Sequence, residues 1–459
     1  MFIIPYTPPR MSRYNYMCKK IYFTMIKFKN NLLIKNIIIL LVSGALAKVL
    51  GMLGKIIYTR IAGVNVVGLY TMITPTFMLI ISICQFSFPI SISKISAEEK
   101  YDNKSLLKSA YFVGSIISII LIIILILTSN LIALSLHNKL LVPAILSISA
   151  IIPFVMISSV QRGFLHGKED MFPASITNVT EEIIKIILIL FLLPIAISKG
   201  DITSVIFLIL FNVITESSNI LFMQKVISKK YISNKKGKVN KKIIKEILSI
   251  SIPTTSVRLI ASIGFFLEPI ILTNTLLSSG YSPNYITMEY GIINSYIVPL
   301  LSIPSFFSIS IASALLPNIT KAYANKKYDE FNRKLLKLMF LSMLVGAVCL
   351  TIILIFPNEI LKLVYNVNFG INYIYLIGPF FLILYMQPTL SVALQAMDKT
   401  NKLFLTSTIS VIIKYSALYV LGKIGFGMNA LIFAMIAGIV TTTSLVLIIV
   451  LKELKKKTS

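Results

Sequence analysis

Five cations sit inside hydrophobic runs long enough to cross a bilayer: Lys48, Lys55, Lys185, Arg258 and Lys414. Four acids share such runs, Glu181, Glu182, Glu216 and Glu268. At roughly 2.5 to 3.5 kcal/mol per central charge, lipid exposure of all nine would cost on the order of 20 to 30 kcal/mol. That exceeds the usual stability of a folded chain, so most of them must pair or face water. Lys48 and Lys55 are seven residues apart, nearly two helical turns, and share a stripe with Gly44 and Gly51. A stripe of small residues and cations is expected to face a water-filled cavity and to contact an anionic ligand.

Each charge also has a plainer reading. Lys185 follows Glu181 and Glu182 by four and three residues, so pairing within one helix stands beside ligand contact. Lys55 and Glu268 lie near the outer ends of their runs, where snorkelling to the interface stands beside a buried role. For Glu216, pairing with a nearby cation is favoured over proton coupling. Lys48, Arg258 and Lys414 have no acid within a turn on their own helices, which favours a ligand over interhelical pairing.

The elements that position these charges are long apolar helices. The 459 residues are 56% hydrophobic and 13% charged, with a mean hydropathy of +0.86, a composition that excludes a soluble globular protein. Apolar runs bounded by charge, Gly, Pro and Asn predict twelve spans, near 33–58, 67–92, 106–134, 141–162, 174–198, 201–226, 244–276, 288–316, 333–357, 371–396, 401–423 and 427–452. With both termini cytoplasmic in a multi-pass cell-membrane protein, cytoplasmic segments hold 34 lysines and arginines and outer loops hold 5. The net charge of +27 is therefore a topology signal, not a nucleic-acid surface.

The expected organisation is a basic N-terminal extension (1–30), a six-helix lobe (31–228), a basic linker (229–242), a second six-helix lobe (243–452) and a short tail (453–459). The halves resemble each other. LLIKNIIIL at 32–40 lies on KIIKEILSI at 242–250, Lys100-Tyr101-Asp102 on Lys327-Tyr328-Asp329, and 165–186 on 394–415. Six spans per repeat give both halves the same sense in the membrane, an all-α fold of two parallel repeats. The alignment sets Lys48 on Arg258 and Lys185 on Lys414, a symmetric basic patch near the midplane. Pro253, Pro269, Pro299 and Pro304 are expected to bend the helices that open the second half.

Cys18, Cys84 and Cys349 are scattered, and His137 and His166 are isolated, so no metal site is expected. No phosphate-binding loop and no nucleophile–base constellation occurs, so an enzyme is not expected.

The pattern Lys48, Leu50, Gly51, Lys55, Arg60, Gly63, followed by Gly68-Leu69-Tyr70, resembles the opening of the stage V sporulation protein B group of polysaccharide exporters. These are relatives of the lipid II flippases in the multidrug/oligosaccharidyl-lipid/polysaccharide superfamily. Gln161-Arg162-Gly163-Phe164 with Gly167, and Ala314-Leu315-Leu316-Pro317, are similar to the same group. The resemblance implies a V-shaped pair of lobes around a cationic cavity that receives an undecaprenyl-diphosphate-linked sugar for peptidoglycan of the spore cortex or wall. It adds Arg60 to Lys48, Lys55, Lys185, Arg258 and Lys414 as binding candidates, with Glu181, Glu182, Glu216 and Glu268 as ion-pairing or coupling groups. It implies no cofactor beyond a coupling cation, H+ or Na+. The implied protein is a monomer in the cell or forespore membrane, among membrane lipids and wall-synthesis proteins. Two other readings stand beside it: a cation-coupled multidrug exporter of the same architecture, and a non-transporting scaffold for wall synthesis.

Overall fold

The computed structural model describes residues 13–232 and 237–458, and these residues form helices without a strand. The first helix, α1 (Arg13–Gln85), folds back on itself at Gly63, whose φ of 74° and ψ of 167° suit only glycine. It thus supplies two crossings where the sequence predicts two helices and a loop. The second arm ends at Phe86 and Ser87, both with positive φ, before α2 (Phe88–Ala97) continues toward the basic loops. The single span predicted at 67–92 is therefore two helices.

The remainder of the first half is α3 (Asn103–Ser135), the short α4 (Val142–Ser147), α5 (Ile152–Gly167), α6 (Met171–Ile197) and α7 (Asp201–Lys230). The second half contains α8 (Lys241–Ser278), α9 (Pro283–Gly291), a π-helical turn (Ile292–Ile297), α10 (Val298–Ala324), α11 (Tyr328–Ile355), the short α12 (Pro357–Tyr365), α13 (Ile371–Ala396), α14 (Thr400–Ile424) and α15 (Asn429–Thr458). The order of long and short helices repeats. α6 and α14 begin 229 residues apart, and α7 and α15 begin 228 apart.

Local chemistry sets the ends. Asp102 caps α3 by accepting from the Ser105 amide at 3.1 Å, and Ser282 caps α9 with Pro283 in the first turn. Among the described residues ten helical segments are long and apolar enough to cross a membrane. One, Val42–Ala97, is 56 residues long and holds the Gly63 fold. α6, 27 residues long and carrying Glu181, Glu182 and Lys185, is not among the ten. α8 runs unbroken through Pro253 and Pro269, whereas Pro299 does follow a distortion, the π-helical turn. The tail predicted to start at 453 continues α15 to Thr458. Of the predicted extension, residues 1–12 lie outside the described residues; the backbone of 13–30 is the start of α1.

Leu127, Phe191 and Leu363 are among many large apolar side chains left outside, as a lipid-facing belt requires. One buried core runs through the first half and into the second, and a smaller one joins α10, α11, α13 and α15 at their basic-loop ends.

Candidate functional site

α1 shows lipid one face and the protein another. Val42, Leu46, Val49 and Leu53 are half exposed on one stripe. On the opposite stripe Gly51 and Lys55 line a cavity of about 560 Å³ between the two halves. Gly51 lets α1 approach α6, since a Cβ there would sit 3.3 Å from the Glu182 carboxylate. The cavity also receives Tyr70 and Thr71 from the second arm, Glu182 and Lys185 from α6, and Phe265, Asn294 and Ser302 from the second half.

Lys55 donates to the Asn294 carbonyl at 3.2 Å, a contact between the two halves. Among the described residues neither Lys55 nor Lys185 has an acid within 4 Å, and Glu182 pairs with no cation. Pairing of Lys185 with Glu181 or Glu182 on the same helix is thus not formed, and the cavity wall carries a net positive charge. Two ammonium groups with unused donors are suited to a phosphate or diphosphate.

The other cations divide into two groups. Lys48 and Arg258 are exposed on the cavity-facing stripes, each seven residues from a lining residue, Lys55 and Phe265, and so about 10 Å nearer the basic loops. Arg258 donates to the Gln85 side chain at 2.8 Å, while Lys48 makes no hydrogen bond or ion pair among the described residues. Arg60 and Lys414 are placed elsewhere. Arg60 donates to the carbonyls of Leu363 and, at 2.7 Å, Val364, the C-terminal turn of α12, where a cation suits the helix dipole. Lys414 forms an ion pair with Glu268, which is 1% exposed and also accepts from Tyr290 at 3.3 Å. Glu268 is therefore buried and does not snorkel, and the ligand reading of Lys414 gives way to interhelical pairing.

Glu181 and Glu216 both face Arg162, at 3.3 and 3.8 Å. Arg162 also donates to Asn178 at 2.5 Å, and Asn219 donates to Glu181 at 3.1 Å. Hydropathy puts Arg162 at the very end of the fourth predicted span, 141–162, beside the basic loop. It stands instead inside α5, more than a turn before Gly167, and closes a polar knot within the first half. The signal in the sequence was Glu216, an acid inside an apolar run with no cation within a turn on its own helix.

Residues 33–323 match the family described as "Polysaccharide biosynthesis protein", and residues 294–420 match the MatE family. The chain is 28% identical to "Stage V sporulation protein B" of Bacillus subtilis (strain 168), over 90% of its own length and 82% of that protein's. It is 27% identical to "Sporulation protein YkvU" of the same organism, with 93% and 96% covered. Among solved structures it resembles an inward-facing multidrug resistance MATE transporter of the MOP superfamily, TM-score 0.66, 15% identity, covering 89% of this chain and 95% of that one. An outward-facing structure of a transporter of that family gives TM-score 0.57 at 16% identity, covering 92% and 96%. The two-lobed, all-helical fold is thus the MATE fold, and the chain, a multi-pass membrane protein, belongs to the polysaccharide biosynthesis protein family.

Proposed function

We propose that this protein is an exporter that moves an undecaprenyl-diphosphate-linked saccharide across the membrane by alternating access. The observation that carries this is the pair of unpaired lysines, Lys55 and Lys185, in a cavity between the halves. In a partly dehydrated site their charges hold a diphosphate strongly. Lys48 and Arg258 extend the positive stripe toward the basic loops, which the positive-inside rule assigns to the cytoplasm, where such precursors are made. The tail stays in lipid while the head group enters. The names of the two Bacillus subtilis relatives support a role in sporulation, with peptidoglycan of cortex or wall as the destination. The driving force is a coupling cation, H+ or Na+, or the membrane potential acting on the cationic cavity.

The test is translocation of fluorescent lipid II in proteoliposomes, comparing wild type with Lys55→Ala, Lys185→Ala and Arg258→Ala. Loss in the first two supports the reading. Undiminished translocation in both contradicts the site, and a wild type that moves no prenyl-diphosphate saccharide contradicts the function. Export of cationic drugs in place of the lipid would favour the multidrug reading.

A further inference from the structure

A second cavity, of about 530 Å³, opens between α10 and α13 and shares Ser302 with the first. Its lining contains no charged residue, although the neighbouring cavity has three. Gln387, Ser391 and Gln395 recur at four-residue spacing on one face of α13, opposite Ser302, Ser305 and Phe306 on α10. Among the described residues the side chains of Gln387, Ser391 and Gln395 make no hydrogen bond, and the Ser305 hydroxyl is buried without a partner. Pro388 has no N–H to return to the Leu384 carbonyl four residues back, so this lining residue offers an open backbone acceptor. Gln387 and Ser391 are half-buried and Gln395 is exposed at the mouth, so of these groups the Ser305 hydroxyl is the buried one that ordinarily would find a partner, and all of them line a space that shares Ser302 with the lysine cavity.

We infer that this second cavity is a subsite for the uncharged, hydroxyl- and amide-bearing sugar of the substrate, with the diphosphate on Lys55 and Lys185. The inference rests on the export reading above and adds the part of the substrate that the second half recognises. A lining without charge gives a phosphate less than the neighbouring lysines do, so the diphosphate belongs with Lys55 and Lys185. Amide and hydroxyl groups fixed on two helices, with one aromatic ring among them, match a saccharide carrying an N-acetyl group. Ser302 lies one helical turn beyond Val298 and Pro299 of the first cavity, about the reach between a diphosphate and the sugar attached to it.

The sequence has no tryptophan, so Phe306→Trp places a single fluorophore in this cavity. The full-length protein in detergent is titrated with two probes, farnesyl diphosphate and its N-acetylglucosamine-bearing counterpart. The glycosylated probe is expected to bind about tenfold tighter and to change the emission, as two or more neutral hydrogen bonds would give. Gln387→Leu with Gln395→Leu is expected to remove that tenfold advantage while farnesyl diphosphate still binds, which shows that the variant is folded; Ser391→Ala is the milder alternative. Equal affinity of wild type for the two probes, or an unchanged preference in the glutamine variants, overturns the subsite and leaves the export reading standing. An emission change produced equally by farnesyl diphosphate assigns the cavity to the tail and also overturns it. Failure of wild type to bind either probe overturns the export reading, and the subsite with it.

Discussion

Two seams join the halves, and they are built differently. Along α8 the contacts run from one membrane face to the other: Tyr101 to Glu246 at 3.0 Å, Ser251 to Ser91 at 2.8 Å, Thr255 to Ser87 at 3.1 Å, Arg258 to Gln85, Ser262 to Ser82 at 3.0 Å, and His137 to Asn274 at 3.0 Å. From Glu246 to Asn274 this is about 42 Å of helix, more than the hydrocarbon core of a bilayer. On the pseudo-symmetric side, among the described residues, the hydrogen bonds that tie the first arm of α1 to the second half lie at its outer end. There Lys55 meets Asn294, Tyr58 and Thr71 meet Ser295 at 3.4 and 2.6 Å, and Arg60 caps α12. The ties span about 8 Å along α1 from Lys55 to Arg60. Toward the basic loops, among the described residues, a Cβ on Gly44 would meet nothing within 4 Å. On the export reading proposed above, the difference says where the molecule would open: one seam, a continuous row of polar contacts, would serve as the hinge, and the other, closed at one end with Lys55 in it, as the gate.

The largest effect on translocation should come from Lys55, which belongs to both the gate and the cavity. Lys55→Ala is expected to lower translocation by about 30-fold or more, as loss of a desolvated charge contact does. Arg258→Ala, on the hinge side and exposed, should lose only several-fold in the same proteoliposome assay. Equal losses would erase the distinction between the seams.

The comparison also requires each half to move as a unit. Arg162→Ala leaves Glu181 and Glu216 facing each other, and Glu268→Ala leaves Lys414 without its acid. Each should cost about 3 to 5 kcal/mol, read as a lowered thermal midpoint in detergent. Wild-type midpoints in both would show that these knots do not hold the halves.

At the closed end of the gate two backbones touch. A Cβ on Gly68 would lie 2.7 Å from the Thr287 carbonyl, and one on Gly291 would lie 2.6 Å from the Gly68 Cα. Backbone cannot give way as a side chain can, so Gly68→Ala should cost about 1 to 3 kcal/mol and make the outer end accessible to a water-soluble thiol reagent at Ser295→Cys. The smallest effect belongs to the hinge, where Ser251→Ala or Ser262→Ala should each cost about 0.5 to 1.5 kcal/mol with little change in transport.

The helical membrane fold, the repeat and the family were legible in the sequence because they depend on hydropathy, loop charge and local motifs. The partners of the charges were not. Lys414 has no acid near it in sequence because Glu268 stands on α8, 146 residues away. Arg162 reads as the last residue of a span because an apolar run gives no measure of how far a helix continues, and α5 runs on to Gly167. Lys48 and Arg258, which the repeat aligns, each stand seven residues from a cavity-lining residue, Lys55 and Phe265. The repeat says nothing of the unequal seams, which arise from how far apart the halves stand.

The most direct test pairs two cross-links in a chain whose three cysteines have been replaced. Thr71→Cys with Ser295→Cys fastens the gate, and Ser82→Cys with Ser262→Cys fastens the hinge. Lipid II translocation should fall to background when the first pair is oxidised and return on reduction, while the oxidised second pair keeps most of its transport. Full transport with the gate fastened, or loss only with the hinge fastened, would contradict the account.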